Sequence, residues 1–505
     1  MQCYLTVPCM LDEFSKKEYE NREYVGVQYL VSSLNKRGIK NKFVNAHAYR
    51  IDTNVLCDDI LSLDVAFVGI SSHSQKGFPA VRELFQELRK RGYSGHICLG
   101  GFYASLNFEE IMQKYPEVTT ILIGEGEYSL PELIVRLEEE QDIKDISGIV
   151  YRNGNEIISS VSKRILNLDE LDFPQRDVNI ITDDQNGRSF SVVSGRGCYG
   201  RCNFCCKGIY FDNNYKVYRN HVFVVDEIEQ LINQYDVKNF SFADEIFYDD
   251  NGHDWVINFV DELKNRNLNI KFDMTLRVND VKKELIEKLA SVGLKRVSVG
   301  VESAVPRILN EMNKKITIEQ SINALNIITE CGVKAKLTFI TFIPTMSFEE
   351  LKTNYNFLFS LDNDMLSEGN LYNRLSIFSG CEYEAILREK ELLWSDLKDF
   401  AERHTYNYLD RKVECFVYNI TKVRKYLAEC KKAVLEKNDY SDRYLNLFEE
   451  TKKQSKFLCK EIIKDLLLIV EFLLDDELEV ALNKFHEYTK EKVNLHKLKM
   501  MQLFD

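Results

Sequence analysis

The 505-residue sequence contains no apolar run long enough to span a membrane, no internal repeat and no low-complexity segment. It also lacks an excess of positive charge. Lys and Arg number 66 against 79 Asp and Glu, and the net charge of −13 argues against a chain that tracks a phosphate backbone, so nucleic acid is not an expected partner. The first residues, Met-Gln-Cys-Tyr-Leu-Thr-Val-Pro, show neither the basic nor the long apolar region of a secretion signal. Together these absences predict a soluble, cytoplasmic protein without a membrane span. A hydrophobic content of 45% is enough for ordinary cores in two or three domains. Thirteen cysteines, an odd number without a secretion signal, suit a reducing compartment where thiols stay free or bind metal.

Three of those cysteines carry the strongest signal. Cys198, Cys202 and Cys205 stand in the run Ser-Gly-Arg-Gly-Cys-Tyr-Gly-Arg-Cys-Asn-Phe-Cys, a C-x3-C-x2-C spacing after an apolar strand-like segment. No further Cys or His follows at zinc-finger spacing, where only Cys206 is left over. Three thiolates on one tight loop can hold three irons of a [4Fe–4S] cluster, leaving the fourth iron open to a substrate or cofactor. The spacing, the Gly-Arg-Gly before it and Phe204 just before the third cysteine resemble the radical S-adenosylmethionine (SAM) superfamily. The resemblance implies that SAM chelates the open iron and is reductively cleaved to methionine and a 5′-deoxyadenosyl radical, which takes a hydrogen atom from an unactivated position.

Upstream, β-branched runs alternate with helical ones. Cys3–Val7, Lys42–Val44, Val65–Ser71, His96–Leu99 and Ile121–Ile123 read as strands, with helices around Gly26–Leu34 and Ala80–Arg91. This alternation predicts a doubly wound parallel sheet, whose ligands sit beyond the carboxyl ends of its strands. At those ends stand Ser71-Ser72-His73, Gly100-Gly101 and Gly124-Glu125-Gly126-Glu127, and adjacent glycines allow close approach of a bulky ligand. The stretch resembles the cobalamin-binding domain that precedes many radical SAM domains, in which Gly-Gly and Gly-Glu-Gly-Glu recur at these places. That resemblance assigns cobalamin contacts to Ser71, Gly100, Gly101, Gly124 and Glu125. The Asp-x-His-x-x-Gly motif that supplies a histidine to cobalt in methionine synthase is absent after the first strand, and His47 reads as an ordinary loop histidine.

A second βα series offers six strands: Phe190–Ser194, Asn239–Ala243, Lys271–Leu276, Arg296–Val301, Lys336–Phe342 and Asn370–Phe378. Six parallel units predict a partial (β/α)6 barrel with its chemistry at the C-terminal strand ends. There the family resemblance assigns Glu245 to the amino group of SAM, Arg277 to its carboxylate, Glu302 and Ser303 to its ribose, and Ile343 to its adenine. Asp244 suits a helix cap as well as a cofactor contact. The expected division is a cobalamin-binding, Rossmann-like domain over 1–142, a hairpin and linker over 143–188, a radical SAM barrel over 189–385 and a mostly α-helical region over 386–505.

The resemblance implies a cobalamin-dependent radical SAM enzyme, most often a methyltransferase acting on an unactivated carbon, less often phosphorus, of a small metabolite or peptide. It also implies a reductant such as flavodoxin or ferredoxin. Two alternatives stay open at this point. One is a radical SAM enzyme with an empty first domain that catalyses cyclisation, rearrangement or bond formation, and the other is a non-catalytic iron–sulfur or B12-responsive binding protein.

Overall fold

The computed structural model describes residues 2–9, 23–177, 182–184, 187–211, 215–393, 406–435, 442–472, 485, 487–495 and 497. Its first sheet comprises β1 (Cys3–Val7), β2 (Asn41–Asn45), β3 (Phe67–Ser71), β4 (His96–Gly100), β5 (Thr120–Leu122), β6 (Ile149–Asn153) and β7 (Glu156–Ser159). The order is β2-β1-β3-β4-β5-β6-β7, parallel through β5 and antiparallel beyond it. β1 and most of β3 and β4 are buried, as expected of a sheet covered on both faces. The helix Phe78–Lys90 shows why the flanking segments are helical. Phe78, Val81, Leu84, Phe85 and Leu88 recur at three- and four-residue steps and are buried, Pro79 lies in the first turn, and Arg89 and Lys90 complement the last. The strand order reverses between β1 and β3, which puts the switch point beside Ser71 and Ser72. The hairpin read near Ser147–Gly154 is β6 and β7, and it extends the first sheet rather than standing apart from it.

The second sheet contains β8 (Thr182–Asp184), β9 (Gly187–Val192), β12 (Asn239–Phe242), β13 (Lys271–Arg277), β14 (Leu294–Glu302) and β15 (Lys334–Phe339). Between β9 and β12 the short pair β10 (Gly195–Arg196) and β11 (Val217–Tyr218) closes off the cysteine loop. β9, β12, β13, β14 and β15 are parallel, and β8 is antiparallel to β9. The strand expected over Asn370–Phe378 is reduced to one parallel bridge between Phe342 and Arg374. Local side-chain bonding explains this difference. Asn370 closes a capping box with Ser367 over the 3-10 turn Glu368–Leu371 and donates its Nδ2 to Leu337 O at 3.1 Å, so side-chain bonds hold the start of the segment and backbone bonds between Phe342 and residues Asn373 and Leu375 remain beyond it.

The helices Glu382–Glu389, Arg411–Leu435 and Asp442–Phe472 follow. Val413, Phe416, Ile420, Ile462 and Leu466 belong to the same buried core as the second sheet, and Phe416 lies 5.6 Å from the Tyr355 ring. The first of these helices runs across position 385, so the chain passes from barrel to helical region without a separate core. Among the described residues no helix is long and apolar enough to cross a membrane. The apolar stretch read over Glu461–Leu474 ends beyond the described residues.

Candidate functional site

The loop from Gly197 to Cys206 leaves β10 with Gly197 at φ +92° and leads into the short helix Lys207–Tyr210. Cys198, Cys202 and Cys205 are each partly exposed on it. Backbone and amide bonds fix its course: Asn203 N–H donates to Met312 O at 3.0 Å, Asn203 Nδ2 to Glu311 O at 2.9 Å, and Asn313 Nδ2 to Arg201 O at 2.7 Å. Arg277, at the end of β13, donates from Nη1 to Cys202 Sγ at 3.2 Å and from Nη2 to Lys314 O at 2.9 Å. A Cβ at Gly200 would stand 2.1 Å from Arg277 Nη1, so a side chain there would push the guanidinium aside.

Burial pushes the Cys198 thiol up and the Cys205 thiol up to about 12. The uncharged thiol therefore prevails in the bare loop, and cationic iron would displace the proton as it binds. Among the described residues no three Cys, His, Asp or Glu side chains converge as ligands of one ion. A cluster asks for something different, because each of its cysteines holds a separate iron. Three soft sulfur donors on one clamped loop, with a guanidinium beside one of them, fit that group.

Two carboxylates follow β12 and behave differently. Asp244 is enclosed, accepting from Ser194 N–H at 2.9 Å, from the Ser194 hydroxyl and from Lys216 Nζ at 2.6 Å, so it braces the strand end. Glu245 accepts from Gly197 N–H at 3.0 Å, at the start of the cysteine loop, and from Lys207 Nζ at 2.8 Å, on the helix that follows it. Burial alone would raise its carboxyl, but the Lys207 ammonium and these hydrogen bonds outweigh it and hold the group below the usual carboxylate range. It is an anion beside the loop, chemically suited to an ammonium.

At the end of β14, Glu302 adopts φ +68° and accepts from Lys314 Nζ at 3.0 Å. Such a conformation is uncommon for a residue with a Cβ, and strain of this kind gathers at ligand sites. Ser303 is fully buried, donating to Asn354 Oδ1 at 3.0 Å and accepting from Val305 N–H at 3.2 Å. Ile343 is fully buried as well, with its N–H on Met346 Sδ at 3.4 Å. Cys198, Cys202, Cys205, Glu245 and Arg277 thus come together around one loop. Ser303 and Ile343 are engaged within the protein.

The first sheet presents its turns to the same loop. Gly101 has φ +93°, and a Cβ there would lie 2.8 Å from Ser72 O, whereas one at Gly100 would meet only Leu122 O at 3.8 Å. Ser72 is buried and its hydroxyl has no hydrogen-bond partner among the described residues, leaving a free polar group beside Ser71 at the switch point. An open glycine edge with an unsatisfied buried hydroxyl fits a large polar cofactor. Gly124 carries φ +80°, and its carbonyl accepts from Tyr210 OH at 2.6 Å. Both Glu125 oxygens are occupied, by Arg196 Nη1 at 2.7 Å and Ile165 N–H at 2.8 Å. Sequence reading missed Arg196, Lys207, Tyr210 and Phe102 as shapers of this region. The one available sign was a basic residue within Gly-Arg-Gly facing the paired glutamates of Gly-Glu-Gly-Glu.

Residues 192–358 match the family model of the radical SAM superfamily, and residues 23–134 match that of the B12 binding domain. The chain belongs to the radical SAM superfamily. It is a B12-binding radical SAM enzyme, and the cofactors that go with its two domains are a [4Fe–4S] cluster, SAM and cobalamin. An uncharacterized methyltransferase of Pyrococcus horikoshii is 26% identical over 347 residues, covering 67% of this chain and 74% of the relative. The anaerobic magnesium-protoporphyrin IX monomethyl ester cyclase of Cereibacter sphaeroides is 25% identical over 441 residues, or 81% of this chain and 71% of the cyclase. In fold, this radical SAM enzyme resembles the cobalamin-dependent S-adenosylmethionine radical enzyme OxsB, solved with aqua-cobalamin and S-adenosylmethionine bound, with a TM-score of 0.75, 19% identity, and coverage of 99% of this chain and 80% of that one.

Proposed function

We propose that the protein is a cobalamin-dependent methyltransferase that acts on an unactivated carbon, or less often phosphorus, of a small metabolite or peptide. The observation that carries this reading is the packing of the first sheet's turn region on the short helix that leaves the cysteine loop, with Phe102 and Tyr210 ring centroids 3.9 Å apart. Bound together, the cluster and SAM supply hydrogen-atom abstraction and cobalamin supplies methyl transfer, chemistry that protein side chains alone do not perform. The chain's own residues hold and orient. Cys198, Cys202 and Cys205 would ligate the cluster, Arg277 supports the Cys202 sulfur, and Glu245 suits the amino group of SAM. Glu302 lies at the next strand end, with Ser303 and Ile343 behind it as packing for the SAM site. Ser71, Gly100, Gly101 and Gly124 form the edge offered to cobalamin, and Glu125, with both oxygens taken by Arg196 and Ile165, stands behind that edge rather than among the cofactor's own contacts.

The division into 1–142, 143–188, 189–385 and 386–505 belongs to the same proposal, as do a flavodoxin or ferredoxin reductant and a cytoplasmic location. One observation favours a second reading, cyclisation or rearrangement. Both oxygens of Glu125 are engaged within the protein, so this carboxylate is not free for cobalamin, and a relative that matches 81% of this chain is named a cyclase.

Anaerobic purification from cobalamin-fed cells, followed by metal analysis, tests the reading. About four irons and one cobalt per chain are expected, with label from methyl-labelled SAM appearing in a product. Iron without cobalt would reject methylation in favour of the second reading. Cys202→Ala should lose the cluster absorbance and deoxyadenosine formation together, and a variant that keeps both would remove these cysteines from the site.

A further inference from the structure

Arg196 ends β10 two residues before Cys198, and its guanidinium opens toward the first sheet. Nη1 meets Glu125 Oε1 at 2.7 Å and Nη2 meets Glu127 Oε1 at 2.6 Å, with both carboxylates only 4% exposed. The guanidinium also lies 5.2 Å from the Tyr29 ring, on the first sheet's opening helix Val25–Lys36. At the other end of the loop, Tyr210 OH donates to Gly124 O at 2.6 Å, and Lys207 Nζ sits 3.6 Å over the Phe102 ring. The segment bearing all three cysteines is therefore tied at both ends to the two glycine turns of the first sheet.

A fork held by two carboxylates defines an orientation as well as a contact. Desolvation largely cancels the Coulombic gain of such buried pairs, which makes geometry a better account of them than net stability. Reacting groups must stand about 3–3.5 Å apart, and a misplacement of about 1 Å can cost on the order of 100-fold in rate. We infer that Arg196, Glu125, Glu127 and Tyr210 form a clasp that sets the separation of the cluster from the cobalamin, acting as positioning residues for a substrate held between them. The inference rests on the two-cofactor reading above.

The test is electron paramagnetic resonance on the intact protein carrying both cofactors, with the cluster reduced by one electron and cobalt in its divalent state. The dipolar splitting between the two centres falls with the inverse cube of their separation. Combined Glu125→Gln and Glu127→Gln removes the charges while keeping the shapes, and Tyr210→Phe removes one hydroxyl while keeping the ring. Both variants should retain wild-type iron and cobalt, and the resolved wild-type splitting should be lost to a broader, weaker one, more so in the double variant. Unchanged splitting in both overturns the inference. Loss of either metal overturns it too, because these residues would then be holding a cofactor rather than spacing two. A wild-type protein without cobalt fails differently, since it removes the two-cofactor reading and the clasp's purpose with it.

Discussion

Asp280 shows how much one side chain beside the cysteine loop depends on its surroundings. It follows β13, is 1% exposed, and accepts from Tyr199 OH at 2.9 Å, while its second oxygen has no hydrogen-bond partner among the described residues. Burial pushes its carboxyl up to about 7, against the opposing pull of Tyr199 and Arg277. The ordinary aspartate value in an unfolded chain is about 3.9, so the folded protein holds this proton through a window in which the unfolded chain releases it. The stability so gained is fully present below about pH 4 and is lost as pH rises through 7. Asp280→Asn keeps the shape without the charge. Its thermal unfolding temperature should gain on the wild type's as pH rises from about 4 to 8, and a gap that does not change with pH would show that Asp280 does not titrate in this window.

Adjacent glycines in the turn after β4 have different physical reasons. Gly101 needs its positive φ and its lack of a Cβ, since Ser72 O, which accepts from Tyr103 N–H, is already at the limit of approach. Gly100 has room for a Cβ, whose one neighbour would be Leu122 O at 3.8 Å. Gly101→Ala should therefore destabilise the protein by about 1–3 kcal/mol in chemical denaturation. Gly100→Ala should fold with wild-type stability and take up less cobalamin, as read by absorbance after reconstitution. Equal uptake by Gly100→Ala would remove this edge from the cofactor site. Sequence alone made the pair conspicuous but could not separate the two roles, because φ and the nearest atom across the turn belong to the packed sheet.

Across the whole molecule, a buried charge network joins the first sheet to the barrel. Glu227, on the barrel helix His221–Tyr235, accepts from Arg219 Nη1 at 3.0 Å and pairs with Arg176. Arg176 also meets Glu23 at 3.0 Å, and Arg219 reaches Tyr29 OH at 2.8 Å and Leu171 O at 3.0 Å. Glu227→Ala would leave Arg219 without its carboxylate in a fully buried position. A loss of about 3–5 kcal/mol is expected, with calorimetry resolving two transitions as the first sheet and the barrel uncouple. A single transition at the wild-type temperature would show that the network carries no coupling.

Much of this protein was legible in the order of its residues. The C-x3-C-x2-C loop, the βα alternation and the glycine turns are local patterns, and local sterics and side-chain chemistry fix what they become. The sixth barrel strand, expected over Asn370–Phe378, keeps only its parallel bridge at Arg374, because Asn370 and Ser367 bond to the backbone in a way that a β-rich run does not disclose. Partnership across distance was not legible either. Glu125 and Arg196 lie 71 positions apart, and only the docking of the first sheet on the cysteine loop brings them to 2.7 Å. Sequence determined which groups the protein owns and which elements bear them. Tertiary structure decided which of them face one another, because burial and ion pairing depend on neighbours that chain order does not specify.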